Sequence, residues 1–218
     1  DIREVSVKYI ELQSLDSLRV LRAGAVKEQT AAINRFRMIL AEYGQAIQKS
    51  KKAFMRNASE ALASLESSIN GVTYHALELE LQTIRDRDEK IEEYNRRIHE
   101  VVENNHLAKL LKSMPGVGDL IACAMAVALA DPSVFRSGRD FAAFLGLVPG
   151  HTGSGGKVIM LGITKRGDRS IRSLLVNGAM TALRQKHRPD FVERLIKKGK
   201  TKKVIAVALA ARMARALW

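Results

Sequence analysis

The amino-acid sequence predicts a mainly α-helical protein. A long helical or coiled-coil segment precedes a small, mostly helical domain with a helix-hairpin-helix motif and a glycine-rich β-hairpin or loop. Apolar residues recur every three or four positions through much of the first half. Turn-forming residues are rare there, whereas the second half has short apolar runs around glycines. We divide the chain near His106, into a helical segment (1–105) and a C-terminal domain (106–218).

Composition excludes several classes of protein. The chain has 218 residues, 46% of them hydrophobic, which suits one or two folded domains. Its single cysteine, Cys123, lies in an apolar run where we expect it to be buried and inert, so the chain has no disulfide framework, which fits the cytoplasm. The first residues do not resemble a signal peptide. The apolar C-terminal run is short for a membrane span and contains Arg212 and Arg215, which favours a packed helix.

The excess of positive charge is confined to the second half. The net charge is +13. Residues 1–105 contain 16 lysines and arginines against 17 acidic residues, whereas residues 106–218 contain 20 against 6. Because so little acid is interleaved, we interpret the C-terminal half as a nucleic-acid-binding surface rather than a basic face that serves only solubility.

Two helical stretches are predicted in the first half. The first runs from Leu15 to Tyr43, and Gly44 is a plausible end. Its apolar positions have helical spacing: Leu15, Leu18, Ala25, Ala32, Phe36, Ile39 and Tyr43. The second covers roughly Ala58 to Glu103.

The second stretch contains a heptad repeat. Its d positions are apolar, and two of its five a positions, Asp88 and Asn95, are polar. The a positions are Tyr74, Leu81, Asp88, Asn95 and Val102, and the d positions are Leu77, Ile84, Ile91 and Ile98. We favour a coiled coil that joins copies of the chain, since polar a residues set register. The alternative, packing on the first helix of the same chain, has nearly equal support. The acidic residues between Glu78 and Glu93 form a solvated face rather than a metal site, because several have basic partners four residues on.

The second half begins with two helices around Pro115-Gly116-Val117-Gly118. Glycines allow the turn positive φ, and amides at the start of the next helix can bind a phosphate without reading bases. This pattern predicts a helix-hairpin-helix motif with Gly116 and Gly118 at the nucleic acid. The alternative is an ordinary helical turn with packing glycines.

A short helix, a hairpin and a longer helix should follow. The short helix covers Arg139 to Leu145. The stretches GLVPGHT and KVIMLGI flank a glycine-rich tip that carries Ser154. Asp168 is a good N-cap for the longer helix. The tip is not a P-loop, because His151 stands where that motif has its first glycine and Val158 where it has a hydroxyl.

These motifs together resemble the C-terminal transposase domain of the IS110/IS1111 family, the RNA-guided recombinases related to the Piv invertases. The resemblance runs from PGVG through FLGLVPGHTGSGGK to ITKRGDRSIRSLLVNGA. The helical stretch before it is similar to the central segment of that family, so the resemblance covers nearly the whole chain. The combination of SGGK with ITKRGD is specific, whereas PGVG alone is weak.

The resemblance implies a recombinase that cuts and rejoins DNA through a phosphoserine linkage, and the matching serine is Ser154. Gly153, Gly155 and Gly156 would leave room for a DNA backbone. Nearby cations would stabilise the charge of the reacting phosphate. The candidates, on electrostatic grounds, are Lys157, Lys165 and Arg166. No ATP is implied, because the linkage conserves the energy of the broken bond. His151 is more plausibly a surface histidine than a general base.

The chain departs from the family in one respect. Full-length members begin with an RNase H-like domain whose acidic residues bind magnesium, and this sequence starts downstream of that domain. Asp1 and Glu4 cannot replace the acidic cluster, so we expect no metal site or cofactor in this chain and no activity from the chain alone. The resemblance implies magnesium and a guide RNA for the full-length protein.

The other partners are DNA and further copies of the chain. A basic cluster before the last helix should bind nucleic acid with little sequence preference. It comprises Arg194, Lys197, Lys198, Lys200, Lys202 and Lys203. The alternative function is a non-catalytic module for nucleic-acid binding and oligomerisation, which needs no nucleophile.

Overall fold

A computed structural model describes residues 9–155 and 157–218, and it confirms the mainly α-helical fold class. Asp1, Glu4 and Gly156 lie outside the described residues. The described chain forms one hairpin of two strands, β1 (Pro149–Thr152) and β2 (Ile159–Ile163). Its α-helices are α1 (Ile10–Glu42), α2 (Lys51–Ala63), α3 (Gly71–Asn104), α4 (His106–Lys112), α5 (Asp119–Ala128), α6 (Gly138–Phe144), α7 (Arg169–Ala182), α8 (Asp190–Lys197) and α9 (Lys202–Leu217).

The chain divides into two compact units. One contains Ser17–Arg97, and the other contains Ile98–Trp218 together with the start of α1 up to Asp16. The boundary predicted near His106 is one of composition and charge, and it stays a prediction.

The unit Ser17–Arg97 has a core built from α1, α2 and α3. Phe36 and Phe54 meet edge to face there, with ring centroids 5.3 Å apart. The buried side chains of this core are Ala32, Ile33, Phe36, Leu40, Phe54, Ala58, Leu62, Leu65, Leu77, Leu81 and Ile84. The helix predicted from Leu15 to Tyr43 is present as α1, and Gly44 follows it with φ +79°.

The second predicted helical stretch, roughly Ala58 to Glu103, consists of two helices, because residues 64–70 separate α2 from α3. The separating stretch is rich in serine, whose hydroxyl competes with the helical hydrogen bonds. The Ser64 hydroxyl donates to the Ala61 carbonyl, and the Asn70 side chain accepts from the Val72 amide at 2.8 Å. These local bonds end one helix and begin the next.

The residues at the heptad positions of α3 pack and form hydrogen bonds within the same chain. Its four d residues are buried, with Ile84 fully so. The two polar a residues also have partners in the same unit: Asp88 accepts from Gln29 at 3.0 Å, and Asn95 accepts from Arg22. The structure therefore corresponds to the intramolecular alternative rather than the favoured coiled coil between chains. Self-association stays a prediction.

The C-terminal unit has its own helical core. Helix α9 packs against α6, α7 and α8, while α5 packs against α4 and α7. Helix α5 is apolar on nearly every face, and Cys123 on it is buried as expected. Helix α9 is the packed C-terminal helix that the sequence predicts. No helix among the described residues combines the length and apolar character needed to cross a membrane.

Candidate active site and nucleic-acid interface

Ser154 lies at the tip of the predicted hairpin. Strands β1 and β2 are antiparallel, with His151 opposite Met160 and Thr152 opposite Ile159. Ser154 is exposed, as are its described neighbours in the loop. Four consecutive apolar residues at the loop end and in β2 are exposed as well: Val158, Ile159, Met160 and Leu161. The hairpin therefore presents both the serine and an apolar strand to its surroundings.

The glycines beside Ser154 are required by the path of the loop. A Cβ on Gly153 would lie 1.8 Å from the Lys157 carbonyl oxygen, and Gly155 has φ +59°. The Lys157 amide donates to the Ser154 carbonyl at 3.2 Å, which closes the turn. Within residues 9–155 and 157–218, no carboxylate or histidine hydrogen-bonds the serine hydroxyl. The loop thus exposes the hydroxyl without supplying a base to activate it.

Two chain segments meet closely at the base of the hairpin. A Cβ on Gly146 would lie 2.0 Å from the Arg166 carbonyl oxygen, and one on Gly167 would lie 1.9 Å from the Phe144 carbonyl oxygen. Both glycines have positive φ, and Lys165 in the same pair of segments also has φ +57°. A non-glycine residue in this conformation is uncommon and often marks a functional segment. The sequence does not reveal this approach, because it joins residues about twenty apart.

Arg172, on α7, ties the same two segments together. Its Nη1 donates to the Leu145 carbonyl at 3.1 Å and to the Arg166 carbonyl at 3.0 Å. One side chain thus spans the entry and exit of the hairpin. The sequence alone does not single out Arg172; the only available signal is its position one helical turn after Asp168.

Asp168 caps α7, as predicted. Its carboxylate accepts from the amides of Ser170 and Ile171 at 2.6 and 3.1 Å. The buried side chains on this helix and its C-cap are Ile171, Leu175, Ala179 and Leu183, whereas Leu174 is only half-buried. Helix α7 is therefore a fixed base for the hairpin.

The three cations assigned to the scissile phosphate are divided between the two ends of the hairpin. Lys157 lies at the tip beside Ser154, whereas Lys165 and Arg166 follow β2 at the base. All three side chains are exposed. Only Lys157 is adjacent to the serine loop, so the roles of Lys165 and Arg166 at the phosphate stay predictions.

The PGVG turn joins α4 to α5, and its glycines have different environments. A Cβ on Gly116, where φ is +87°, would lie 2.4 Å from the Gly178 carbonyl oxygen of α7. Gly116 is thus a packing glycine. Gly118 is exposed, has open space around it and is the N-cap of α5 without a side-chain cap. Of the two glycines, only Gly118 is exposed at a helix start, where the first backbone amides have no partner within the helix and can bind a phosphate.

An ionic network lies beside this turn. Lys112 contacts the carboxylates of Glu103 and Asp119 at 2.5 and 2.7 Å, and His99 contacts Asp119 at 2.9 Å. Burial alone would raise the pKa of Asp119, but hydrogen bonds from Lys112 and His99 outweigh it and lower that pKa. The bond from Lys112, followed by that from Lys109, lowers the pKa of Glu103. The pKa of Lys112 is raised by Asp119 first and then Glu103.

The same residues do not fit a magnesium site. His99, Glu103 and Asp119 are near enough to share a cation. The Lys112 ammonium already lies against both carboxylates, however, and magnesium prefers six oxygen ligands. The group is a salt-bridge network among α3, α4 and α5 rather than a metal centre.

The predicted basic cluster forms the corner between α8 and α9. Arg194 and Lys197 lie on α8, and the remaining members lie in the connection and the first turn of α9. All six side chains are exposed. Gly199, with φ +66°, turns the chain between the helices. The corner is therefore an accessible positive surface.

Sequence comparison identifies the relatives of this chain. The sequence profile described as the transposase IS116/IS110/IS902 family matches residues 108–195, which include the PGVG turn, the serine hairpin and most of α8. The transposase for insertion sequence element IS1111A of Coxiella burnetii is 33% identical over all of this chain, which covers 61% of that protein. A probable family 20 transposase of Pseudomonas aeruginosa is also 33% identical over all of this chain, which covers 66% of it.

A third relative matches only part of the chain. The pilin gene-inverting protein of Moraxella bovis is 37% identical over 112 residues, which are 49% of this chain and 34% of that protein. The chain thus spans slightly less than two thirds of the two transposases that it matches throughout. Those two matches run through the helical unit as well as the serine hairpin. The chain belongs to the IS110/IS1111 family of transposases.

Proposed function

We propose that this chain is the nucleic-acid-binding and strand-joining part of a DNA transposase, with Ser154 as its nucleophile. The observation that carries the proposal is the position of Ser154. It is an exposed hydroxyl, between required glycines, at the tip of a hairpin whose base is tied by Arg172. Family membership supports DNA transposition as the overall activity.

The proposed step is a transesterification. The Ser154 Oγ attacks a backbone phosphorus; the Oγ–P bond forms while the bond to the leaving sugar oxygen breaks. The serine proton passes to water, and the leaving oxygen takes up a proton. The reverse attack by a sugar hydroxyl rejoins DNA, so neither a nucleotide nor a redox partner is consumed.

The chain supplies charge for this step more clearly than it supplies a base. Lys157 is the cation next to the serine loop and stabilises charge on the phosphoryl oxygens. Magnesium is implied by the family, but the described carboxylates near the PGVG turn are paired with Lys112. We therefore assign no step of the reaction to a metal held by this chain.

Nucleic-acid binding is the second part of the proposal. The α8–α9 corner and the start of α5 at Gly118 bind phosphates without reading bases. The partners are DNA and the guide RNA that the family resemblance implies. A homo-oligomer would bring two copies of the hairpin to two DNA strands.

A denaturing gel with labelled target DNA tests the chemistry. We expect no covalent adduct with this chain alone. In a protein that carries the acidic RNase H-like domain ahead of this chain, with magnesium and guide RNA present, Ser154 should form an adduct that Ser154→Ala abolishes while binding persists. Thr152→Ala is the matched control, since Thr152 is another exposed hydroxyl on the same hairpin.

One observation favours the second candidate, a binding module without chemistry: no base contacts the serine in the described chain. The same gel separates the two functions. An adduct that survives Ser154→Ala removes this serine from the mechanism. Binding without any adduct in the longer protein supports the module.

A further inference from the structure

A cationic pocket lies within the unit Ser17–Arg97, which the sequence did not connect with nucleic acid. Its volume is about 330 Å³, and α1, α3 and the connection into α2 bound it. Four cations and one carboxylate contribute to its lining: Arg22, Arg37, Lys49, Lys51 and Glu92. The pocket thus has an excess of positive charge within a half of the chain whose net charge is close to zero.

Among the described residues, three of the four cations form no ion pair. Lys51 forms an ion pair with Asp88. In the described part of the chain, no carboxylate lies within ion-pair distance of Arg22, Arg37 or Lys49. Like charges gathered around one cavity repel one another, and an anion in the cavity relieves that repulsion.

Arg37 lines the wall of the pocket, and its buried Nε has no hydrogen-bond partner among the described residues. Its Nη2 donates to the carbonyls of Gln48 and Ser50 at 2.6 and 3.0 Å, and its guanidinium lies 5.4 Å from the centroid of the Phe54 ring. A buried donor without an acceptor is costly, and this one belongs to a side chain that lines the pocket.

Arg22 is a second partly buried cation on the same cavity. Its Nε donates to the neutral side chain of Asn95. Desolvation lowers the pKa of Arg22, and the Glu92 charge opposes this effect only in part. A guanidinium is effectively always protonated, so its charge remains in the pocket.

The start of α2 adds positive potential. Ser50 is the N-cap of this 13-residue helix, and the two pocket lysines lie on either side of it. The positive end of the helix dipole therefore lies at the lysine side of the cavity.

We propose that this pocket binds a phosphate of a nucleic-acid backbone. The proposal rests on the nucleic-acid binding of the proposed function, but it assigns a separate contact to the helical unit. Arg22, Arg37 and Lys49 are the ligands: two guanidiniums provide directed donors, and the lysine provides an exposed charge. Free phosphate offers the same chemistry, so the test separates it from an oligonucleotide.

The test compares Lys49→Gln with Lys52→Gln in the full chain. Both lysines are exposed and lie three residues apart, but Lys52 does not line the pocket. Binding of a labelled duplex DNA and a single-stranded RNA is measured at several salt concentrations. We expect Lys49→Gln to weaken binding several-fold and to reduce the slope of log affinity against log salt by about 0.9 for the duplex or about 0.7 for the single strand. Lys52→Gln should retain the parent slope.

Arg22→Gln provides a second variant and should reduce the slope in the same way. Equal effects of Lys49→Gln and Lys52→Gln would overturn the proposal, because they would reflect net charge only. A second result would also overturn the proposal: inorganic phosphate stabilises the parent but not Lys49→Gln, while both proteins bind the oligonucleotide equally well. The pocket would then be a site for small anions only. If the parent protein binds no oligonucleotide, the proposed function fails as well. If Lys49→Gln leaves the salt dependence of binding unchanged while Lys198→Gln still weakens binding, only the pocket proposal is rejected.

Discussion

Gly178 allows two parts of the C-terminal unit to pack closely because it has no side chain. Its position in α7 lets the backbone approach Gly116, and a Cβ there would lie 2.4 Å from the Gly116 carbonyl oxygen and 2.5 Å from the Ile121 Cδ1. This close approach fixes the PGVG turn against α7. Gly116 therefore serves packing against α7, whereas Gly118, at the other end of the turn, has open space around it.

We expect Gly178→Ala to lower the free energy of unfolding by about 1–3 kcal/mol, the usual cost of overpacking. The matched control is Gly24→Ala, also in a helix interior but with open space around it. That control should be neutral or gain up to about 1 kcal/mol, because alanine favours a helix. Thermal melts followed by circular dichroism measure both. Equal effects would show that Gly178 and Gly116 are not close in solution.

Lys112 gives a prediction for the dependence of stability on pH. The folded pKa values of Glu103 and Asp119 are lowered, so their contribution is present above unfolded values of about 4 and is lost as pH falls through the lowered values. We expect Lys112→Met to reduce the melting temperature at pH 7, and this difference to shrink steadily below about pH 4. The control is Lys186→Met, at an exposed lysine without an ion pair in the described chain. A difference that does not change with pH would contradict the network.

At the scale of elements, the hairpin is an exposed element with a fixed base. Arg172 and the approach of Gly146 to Arg166 hold its two ends, while no side chain of the described chain hydrogen-bonds the Ser154 hydroxyl at its tip. The base therefore determines where the exposed Ser154 loop is presented.

We expect Arg172→Met to loosen the hairpin without unfolding the unit, because it removes two hydrogen bonds at the base. Limited proteolysis and amide exchange in residues 146–166 should become several-fold faster, with an unchanged circular dichroism spectrum. Arg169→Met is the control, since Arg169 is an exposed residue in the first turn of the same helix. If both variants exchange at the parent rate, Arg172 does not hold the hairpin.

Helix α3 provides the other test of an element. Ile84 is fully buried in the core of its own chain, so Ile84→Ala should lower the free energy of unfolding of that unit by about 2–5 kcal/mol. Leu79→Ala, at an exposed position of the same helix, should have little effect. Thermal melts and light scattering are measured together. If Ile84→Ala changes the oligomer size but not the stability, the result would instead support a coiled coil between chains.

The elements differ in how far the sequence predicts them. The three-to-four spacing of apolar residues predicts α1, α3 and α7, because a helix repeats every 3.6 residues whatever it packs against. That spacing does not say whether the partner belongs to the same chain, so the heptad of α3 fits both alternatives equally. The break before Gly71 has a weak signal, because serines interrupt a helix less clearly than proline or glycine. The close approach at the hairpin base and the pocket at Arg37 depend on residues distant in sequence and have no local signal.

For the whole molecule, positive charge on the C-terminal unit is the dominant property. We expect duplex DNA to bind with an affinity that falls steeply with salt, because bound cations release counterions. Combining Lys198→Gln with Lys200→Gln should reduce the slope of log affinity against log salt by about 0.9 for each phosphate that the protein no longer neutralises. Lys90→Gln, on the neutral half, should not change it. Binding that is indifferent to salt in the parent would contradict an electrostatic interface.

We expect the exposed strand of the hairpin to limit how far the protein can be concentrated. Val158, Ile159, Met160 and Leu161 form an apolar edge, and the two-stranded sheet has no further strand in the described chain. Edges of this kind pair with strands of other molecules. The net charge of +13 keeps copies apart in dilute buffer, but at physiological salt its reach falls to about 8 Å. Concentrated stocks without nucleic acid should therefore precipitate as salt is raised toward that range, and a bound oligonucleotide or a Met160→Lys exchange at the edge should delay it.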